Sequence, residues 1–396
     1  MQITVRQGDS LWYYSQLFQV SQRLLLDSNR QINPNQLSVG QTVLIPGFVT
    51  NDYTIKSGDT IWSIAQRRNI NADAILLLNQ SIDPNQLQIG QTIQVPLRVT
   101  WRLVNDVDQY DFQKFQQDLR ELANVYPFII QEIIGKSVMG KNLYEVRVGN
   151  GSKRVHVNGS FHANEWITTP ILMTFLNDYL LGLTNNGSMS NIDLSSLYQI
   201  TMLSLVPMVN PDGVNLVVNG PPNQEPYRSD VIEMNNGSTD FSNWKANIRG
   251  VDLNNQFPAG WEIEKERKAQ QPGPRDYAGP SPLSEPEAQA MAELTEYRDF
   301  SRVNAFHTQG QVIYWGFEDQ EPPEAEVIVN EYANVSGYQP IQTVDSFAGY
   351  KDWFIQDWNR PGFTTELGRG TNPLPISQFN QIYRAAKGIL LASLYM

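Results

Sequence analysis

The stretch KRVHVNGSFHANEWITTP, at Lys153–Pro170, places a strand, a turn and the start of a helix in immediate succession. Val155 and Val157 alternate with polar residues, as in a half-buried β-strand, and the small polar residues 158–160 follow as a turn. The next segment, Trp166–Leu183, is apolar enough to form a buried helix. This order indicates an α/β fold, in which side chains at the turn lie at the ligand-binding edge of the sheet.

The same kind of pattern continues on both sides of this stretch. A capping box from Ser284 to Glu287 predicts the start of one of the helices. The other segments with helix or strand periodicity are the predicted helices Tyr110–Pro127 and Pro282–Phe300 and the predicted strands Asn142–Gly149, Tyr198–Gly213, Arg302–Thr308 and Pro361–Gly368. Alternating strands and helices predict a sheet covered by helices on both faces.

His162 and Glu165 flank the turn in the opening stretch, three positions apart. Imidazole and carboxylate groups are both good zinc ligands, and a turn into a helix lets both side chains converge on one point. Taken alone, the pair fits a solvated polar turn better than a metal site. A metal site needs further ligands from elsewhere in the chain.

Two residues at predicted strand ends supply that support. His307 ends a strand in VNAFHTQG and would complete a set of three protein ligands, as in catalytic zinc sites. Glu366 ends another strand in FTTELG and could act as a general base. The remaining histidine, His156, lies in mid-strand and is predicted to be structural.

The composition excludes several classes of protein. A formal net charge of −12 argues against non-specific nucleic-acid binding, which needs a basic surface. The chain has no cysteine, so disulfides, thiol catalysis and cysteine metal sites are excluded. No apolar run is long enough to cross a membrane, and we expect no membrane partner. No signal peptide is visible, so a cytoplasmic location stays open beside a wall, spore or extracellular one.

The first hundred residues contain a tandem repeat with an offset of 50 residues. The repeated pairs are Gly8/Gly58, Asp9/Asp59, Trp12/Trp62, Pro34/Pro84, Leu37/Leu87 and Gly40/Gly90. Each copy has a short strand, a Gly-Asp-Ser/Thr helix start, a second helix, a Pro-Asn turn and a last strand. The order in each copy is therefore βααβ.

The two copies, at residues 1–48 and 51–98, resemble LysM domains. The resemblance rests on the opening V/I-x-x-G-D-S/T-x-W and on the closing N-x-x-x-L-x-x-G-Q-x-V/I-x-x-P. It implies binding to N-acetylglucosamine-containing glycans such as peptidoglycan or chitin. It also implies that Trp12 and Trp62 lie in the module cores. The glycan contacts would then come from the loops at Gly8–Ser10 and Asn33–Gln36 and from their equivalents in the second copy.

Residues 108–396 resemble the zinc carboxypeptidase family. The motifs, in chain order, are GSFHANEWITTP, VPMVNPDGV, RGVDLNNQFPAGW, AFHTQG and GFTTELG. The resemblance implies an α/β/α fold with a mixed, mostly eight-stranded twisted sheet. It implies one Zn²⁺ per chain, bound by His162, Glu165 and His307, with Glu366 as general base and then general acid. Lys245 stands where the family has an arginine that stabilises the oxyanion, and Arg249 is the alternative cation.

The chain departs from the family at the residues that hold a substrate's terminal carboxylate. Asn254 and Asn255 stand where the exopeptidases have an Asn-Arg pair, and an amide cannot replace a bidentate guanidinium. The family's active-site tyrosine has no counterpart at the expected spacing, although Tyr338 and Tyr350 lie near that place in the sequence. Three other cations, Arg360, Lys351 and Arg369, could bind a substrate carboxylate in place of the missing arginine.

Taken together, the two parts resemble γ-D-glutamyl-L-diamino acid endopeptidases. The resemblance implies a zinc metallopeptidase that cuts peptidoglycan stem peptides while its LysM modules hold the glycan. Such an enzyme would work in the cell wall or on a spore, in sporulation or wall degradation. Two alternatives stay open: a conventional carboxypeptidase acting on protein C-termini, and a catalytically silent wall-binding or spore-binding protein.

Overall fold

The structure is a computed structural model that describes residues 1–185 and 187–396. The described chain divides into two compact units. The first comprises Met1–Leu103, Leu119–Ile129 and Asn177–Ser195, and the second comprises Val104–Asp118, Ile130–Leu176 and Ser196–Met396. Among the described residues, no helix combines the length and the apolar character needed to span a bilayer.

Each repeat in the first unit forms the predicted βααβ module. The first module consists of β1 (Gln2–Thr4), α1 (Leu11–Phe18), α2 (Gln22–Ser28) and β2 (Thr42–Leu44). The second consists of β3 (Phe48–Thr54), α3 (Ile61–Arg67), α4 (Ala72–Leu78) and β4 (Thr92–Arg98). In each module the two strands pair antiparallel. The predicted caps are present, since Ser10 accepts a hydrogen bond from the Tyr13 N–H and Thr60 from the Ser63 N–H.

Trp12 and Trp62 do not lie in the module cores, and the expectation that they do is wrong. Their exposed fractions are 62% and 65%. The buried stripe of α1 is Leu11, Tyr14, Ser15 and Phe18, which are the i, i+3, i+4 and i+7 positions of one helix face. A residue one position after Leu11 therefore points away from that face.

The two modules are joined by hydrogen bonds and an ion pair. The Arg6 guanidinium of the first module contacts the Asp73 carboxylate of the second at 2.6 and 2.9 Å. The Tyr13 hydroxyl donates to the same carboxylate at 2.5 Å, and Gln80 Nε2 donates to the Thr4 carbonyl at 2.7 Å. These contacts fix the orientation of one module against the other.

The second unit is built around an eight-stranded mixed sheet, as predicted. The remaining helices and strands of the chain, in order, are α5 (Phe112–Val125), β5 (Ile130–Lys136), β6 (Asn142–Val148), β7 (Lys153–Gly159), α6 (Thr168–Thr184), β8 (Ser188–Met189), β9 (Ile192–Asp193), α7 (Leu194–Ile200), β10 (Thr201–Val206), α8 (Pro211–Asn219), α9 (Tyr227–Met234), α10 (Trp261–Arg267), α11 (Pro286–Arg298), β11 (Arg302–His307), β12 (Val312–Tyr314), α12 (Glu324–Ser336), β13 (Gln339–Ile341), α13 (Tyr350–Trp358), β14 (Gly362–Glu366) and α14 (Phe379–Tyr395). The strand order of the sheet is β13-β12-β14-β11-β7-β10-β6-β5.

The centre of the sheet is parallel and covered on both faces. β7 pairs parallel with β10 and β11, and β11 pairs parallel with β14. Every residue of β10 and β11 is buried, which a strand achieves only when helices cover both sides. The chain leaves β7 toward β10 on one side and later returns to β11 on the other. This switch in direction opens a crevice at the carboxyl ends of β7 and β11.

Two local predictions differ from the structure. Only Thr201–Val206 of the predicted strand Tyr198–Gly213 is extended, because α7 ends just before it and Asn210 caps α8 just after it. The predicted capping box at Ser284 is absent. Glu285 is the N-cap residue of α11, while the Ser284 hydroxyl donates to Gln256 Oε1 at 3.0 Å.

Glu287 on α11 should make the fold sensitive to alkaline pH. Burial raises its pKa to about 8, above the unfolded value of 4.5, so folding takes up a proton between these values. The stabilisation is complete below the unfolded pKa and is lost as the pH rises through about 8. We expect the free energy of unfolding to fall by on the order of 1 kcal/mol between pH 7 and 9 in denaturant titrations.

The control variants are Glu287→Gln, which cannot titrate, and Glu293→Gln, an exposed change on the same helix. The first should flatten the pH profile and the second should leave it unchanged. An unaltered decline in Glu287→Gln would remove Glu287 as the cause.

Candidate metal centre and active site

Three strand ends bring the predicted metal ligands together at the crevice. His162 lies in the loop after β7, and Glu165 closes the 3-10 turn Ala163–Glu165 that follows. His307 is the last residue of β11, beside β7. Because β11 and β14 are parallel and in register, Glu366 stands directly beside His307. Residues far apart in the sequence therefore meet at one edge of the sheet.

The ligand atoms of His162, Glu165 and His307 all lie within 4.8 Å of one another. His162 Nδ1 is 2.9 Å from Glu165 Oε1, and His307 Nδ1 is 3.0 Å from Glu165 Oε2. The two Nδ1 atoms are 3.1 Å apart. All three side chains are buried. The sequence prediction that these residues converge is therefore met by the geometry.

This donor set suits a zinc ion. Two imidazole nitrogens and one carboxylate are a common set of protein ligands in catalytic zinc sites. His162 Nε2 lies 3.1 Å from Asp252 Oδ1, so that nitrogen carries the proton and leaves the Nδ1 lone pair for a cation. Two Nδ1 lone pairs that face each other at 3.1 Å repel each other unless a cation or a proton lies between them. The three residues could therefore hold the metal that the sequence predicts.

Asp252 joins the histidine to the predicted oxyanion residue. Its Oδ2 atom forms an ion pair with Lys245 Nζ at 2.8 Å, while Oδ1 accepts from His162. Lys245 also lies 3.4 Å from Asp276 Oδ1. Asn210 ties this region to the loop after β7, since its Nδ2 donates to the carbonyls of Phe161 and Ala246. Lys245 therefore lies beside the predicted metal ligands, and its part in stabilising an oxyanion stays a prediction.

The charges of the site shift the pKa values of its members in opposite directions. Burial disfavours the imidazolium of His162, but the carboxylates of Glu165 and Asp252 outweigh burial and raise its pKa to about 9. Burial likewise opposes the charges of Glu165 and Asp252, yet neighbouring cations hold the pKa of both carboxyls below the usual value. For Lys245, burial is outweighed by Asp252, and its pKa is raised. The lysine is thus held as a cation beside the ligands.

Glu366 differs from the other carboxylates of the site. Its side chain makes no hydrogen bond or ion pair within the described part of the chain. Burial and the nearby charge of Glu165 raise the pKa of Glu366 to about 8. A carboxyl group with a raised pKa and no fixed partner suits a residue that exchanges protons with a reactant.

Two supporting residues, Asp252 and Asn372, are not among the predicted site residues. Asp252 lies within the motif RGVDLNNQFPAGW, so the sequence contains a signal for it. Asn372 follows β14 with no recognisable pattern around it. Its Nδ2 lies 3.4 Å from Glu165 Oε1 and donates to the Thr308 carbonyl at 2.8 Å. The Thr308 N–H also donates to Glu165 Oε2, so both residues hold the glutamate in place.

Asn254 and Asn255 lie in the 3-10 turn directly after Asp252. The Asn254 side-chain oxygen accepts from the Tyr350 N–H at 3.3 Å, which gives Asn254 a structural contact. Asn255 is buried, and its Nδ2 has no hydrogen-bond partner among residues 1–185 and 187–396. A buried donor without a partner is costly unless a ligand uses it.

The structure corrects the expectation that Arg360 and Lys351 bind substrate. Arg360 precedes β14, at the sheet edge opposite Glu366, and donates to Asp299 Oδ1 at 2.7 Å. The Lys351 ammonium is buried against the Asp352 carboxylate at 2.5 Å and the Gly316 carbonyl at 2.7 Å. Arg249 pairs with Glu285 at 3.6 Å rather than with a member of the site. Arg369, three residues after Glu366, is exposed and forms no ion pair in the described ranges.

Neither neighbouring tyrosine takes the place of the missing active-site tyrosine. Tyr350 is fully buried, and its hydroxyl bonds that of Thr295 at 2.8 Å. The Tyr338 hydroxyl accepts from the Gly368 N–H at 3.2 Å. His156 is structural, as predicted, since it is buried in mid-sheet with Nδ1 at 3.0 Å from the Ser204 hydroxyl.

The contact between Asp252 and His162 predicts the effect of Asp252→Asn on metal binding. An amide orients the imidazole less firmly and adds no negative charge, so zinc affinity should fall by about 10-fold to 100-fold. Competition with a chromogenic chelator measures the dissociation constant. Asp276→Asn is the matched control, because Asp276 contacts Lys245 but no predicted metal ligand. Equal zinc affinities in wild type and Asp252→Asn would contradict the assigned role.

Comparison with known proteins agrees with this geometry. Residues 115–387 match the zinc carboxypeptidase family, and residues 3–46 and 53–96 each match the LysM domain. Bovine thrombin-activatable fibrinolysis inhibitor, solved in complex with tick carboxypeptidase inhibitor, has a similar fold with a TM-score of 0.58. It is 18% identical, and the match covers 73% of this chain and 97% of that chain.

Two relatives are closer in sequence. Gamma-D-glutamyl-L-diamino acid endopeptidase 1 of Lysinibacillus sphaericus is 64% identical over 396 residues, which cover 100% of both chains. The uncharacterized protein YqgT of Bacillus subtilis (strain 168) is 44% identical over 290 residues, covering 72% of this chain and 77% of the relative. The family match spans more than half of the chain and includes every residue of the candidate metal centre. The chain therefore belongs to the zinc carboxypeptidase family and carries two LysM domains.

Proposed function

We propose that the protein is a peptidoglycan endopeptidase that hydrolyses the γ-D-glutamyl bond to an L-diamino acid in stem peptides. The observation that carries this proposal is the 64% identity to a γ-D-glutamyl-L-diamino acid endopeptidase over the full length of both chains, modules included. The proposed division of labour assigns residues 1–48 and 51–98 to glycan binding and residues 108–396 to catalysis.

In the proposed mechanism His162, Glu165 and His307 would hold a zinc ion. The bound ion would polarise a carbonyl oxygen and make water more acidic. Glu366 takes the proton from the attacking water and later gives it to the departing amine of the diamino acid. A carboxyl group without a fixed partner in the described chain is free to make both transfers.

Lys245 is proposed to stabilise the negative charge that develops on the carbonyl oxygen. Its ion pair with Asp252 fixes the ammonium next to His162, so no reorganisation is needed when the charge forms. An ammonium offers a point charge rather than the planar fork of a guanidinium, so this residue constrains the orientation of the substrate less than an arginine would.

Asn255 is proposed to select the substrate. Its buried, partner-free Nδ2 can donate one hydrogen bond to a carboxylate or amide oxygen. The α-carboxylate of the D-glutamyl residue, or its amide, lies next to the scissile bond and is the proposed acceptor. A single neutral donor can form a hydrogen bond to the carboxylate or to its amide. An exopeptidase, in contrast, uses a cation to bind the terminal carboxylate of its substrate. Arg369, exposed and without an ion pair in the described chain, is a second candidate for a substrate carboxylate.

The LysM modules are proposed to hold the enzyme on the glycan, so that stem peptides stay at high local concentration. Trp12 and Trp62 are exposed at equivalent positions, which supports stacking on sugar rings beside the loops at Gly8–Ser10 and Asn33–Gln36. We therefore propose a cell-wall or spore-associated site of action.

A digest of a defined muropeptide tests the reaction. The full-length protein should release a product whose mass corresponds to a cut between D-glutamate and the diamino acid. Glu366→Gln should lower kcat by about 10³-fold, because it removes the proton-transfer group. Elemental analysis should find the same zinc content in both proteins.

Two results would contradict the proposal. Trimming of ordinary peptides from the C-terminus, with the muropeptide left intact, would favour a conventional carboxypeptidase. A zinc-loaded wild type that cuts neither substrate would favour a silent binding protein.

Substitution of Asn255 tests its role as a donor. Asn255→Ala should raise KM for the stem peptide by about tenfold, because one hydrogen bond to a charged group is lost. The isosteric Asn255→Asp should raise KM further, because a carboxylate repels the substrate carboxylate. A packing role predicts the opposite order, with Asp tolerated better than Ala. Melting temperatures of both variants show whether folding is preserved.

A further inference from the structure

A cleft of about 630 Å³ lies between the two modules of the first unit. The first module lines it with the end of α1, Gln16–Gln19. The second module lines it with Phe48, Arg68–Asn71, Ala74 and Pro96–Arg98, and Phe48 pairs with Arg98 between β3 and β4. The cleft is separate from the catalytic centre, and the loops at Gly8–Ser10 and Asn33–Gln36 do not line it.

At this cleft, equivalent positions of the two repeats carry different types of residue. Phe18 and Arg68 occupy equivalent positions 50 residues apart, and so do Phe48 and Arg98. All four line the cleft. The two phenyl rings pack edge to face with centroids 5.3 Å apart, and the Arg98 guanidinium lies 4.6 Å from the Phe48 centroid. The duplicated modules thus place an aromatic pair and an arginine pair around one cavity.

Neither arginine is neutralised by a carboxylate in the part of the chain that the structure describes. Arg98 donates to main-chain carbonyls, those of Phe18 and, at 2.7 Å, Thr184. Arg68 lies over the Tyr53 ring at 5.2 Å and has no ion pair. The nearby Asp73 carboxylate is already occupied by Arg6 and Tyr13. Two uncompensated guanidinium groups in a chain of net charge −12 favour an anionic ligand.

The cleft is fixed before any ligand arrives. The ion pair between Arg6 and Asp73 and the hydrogen bond from Gln80 to Thr4 hold the two walls together. A binding site that is already ordered loses little conformational entropy on binding. The amide side chains of Gln16, Gln19 and Asn69 also line the cleft, and they match the hydroxyl and acetamido groups of amino sugars.

We propose that this cleft binds a carboxylate-bearing amino-sugar glycan, with Arg68 as the residue that recognises the carboxylate. We identify the carboxylate-bearing sugar as muramic acid, and this identification rests on the proposed peptidoglycan function. The site distinguishes glycan strands without stem peptides, whose muramic acid carboxylates are free, from neutral N-acetylglucosamine polymers such as chitin, which carry no carboxylate. Apolar cleft walls at Phe48 and Pro96 contact the sugar faces, while Arg68 pairs with the acid.

Isothermal titration calorimetry of the full chain with two tetrasaccharides tests the proposal. One ligand is a peptide-free tetrasaccharide of alternating N-acetylglucosamine and N-acetylmuramic acid, and the other is neutral tetra-N-acetylglucosamine. Arg68→Gln should weaken binding of the muramic tetrasaccharide by about tenfold and leave the neutral ligand unaffected. Arg23→Gln, which removes an exposed arginine outside the cleft, should change neither affinity.

Three results would overturn the proposal: equal binding of both ligands by wild type, no effect of Arg68→Gln, or an equal loss for both ligands. Tighter binding of a glycerol-phosphate oligomer than of the muramic tetrasaccharide would also overturn it, in favour of a phosphate-bearing wall polymer. Thermal melting of Arg68→Gln shows that the module is folded.

Hydrolysis of a glycan-free γ-D-glutamyl peptide separates this inference from the proposed function. Arg68→Gln should cut that peptide at the wild-type rate. If the wild-type protein leaves the peptide intact, the endopeptidase proposal is wrong. The tetrasaccharide titration would still test the cleft independently.

Discussion

The Asp252 carboxylate, fully buried between an imidazole and an ammonium, is the interaction on which the site depends. A buried carboxylate is costly unless each oxygen has a partner, and here one oxygen takes His162 and the other takes Lys245. The same contact sets the tautomer of His162 and keeps Lys245 charged. The orientation of His162 and the charge of Lys245 therefore depend on the same carboxylate.

The sheet supplies the other constraint. His307 and Glu366 end adjacent parallel strands in register, so the last metal ligand and the proposed proton-transfer group are held at a fixed spacing by the main chain. Neither residue depends on a flexible loop for its position. The loop after β7, which carries His162 and Glu165, is held instead by the side chains of Asn210 and Asn372 and by the main-chain N–H of Thr308. Rigid strands and a braced loop together form a pre-organised centre.

Sequence patterns were informative where periodicity or motif spacing reflects packing. The βααβ modules and the convergence of His162, Glu165 and His307 were predictable from the residues, whereas the eight-stranded sheet followed from the resemblance to zinc carboxypeptidases. Long-range side-chain contacts were not. Arg360 and Lys351 are close to Glu366 in the sequence. Arg360, however, lies before the first residue of β14 and Glu366 is its last, so the length of the strand separates them. The charge of Lys351 is neutralised by Asp352.

The exposed Trp12 and Trp62 show a different limit of sequence patterns. A large aromatic residue favours burial, but its position relative to Leu11 or Ile61 on the helix decides which way it points. Residue type alone is therefore a weaker guide than phase along the helix.

The rigid joint between the modules has a consequence for how a polymer is read. Asp73 clamps the first module to the second, and the two modules differ in the residues that face each other. A glycan strand has a reducing and a non-reducing end. Each module is itself chiral, so its glycan site already meets the two ends of a strand differently. The rigid joint adds a fixed relative direction, because neither module can turn independently of the other.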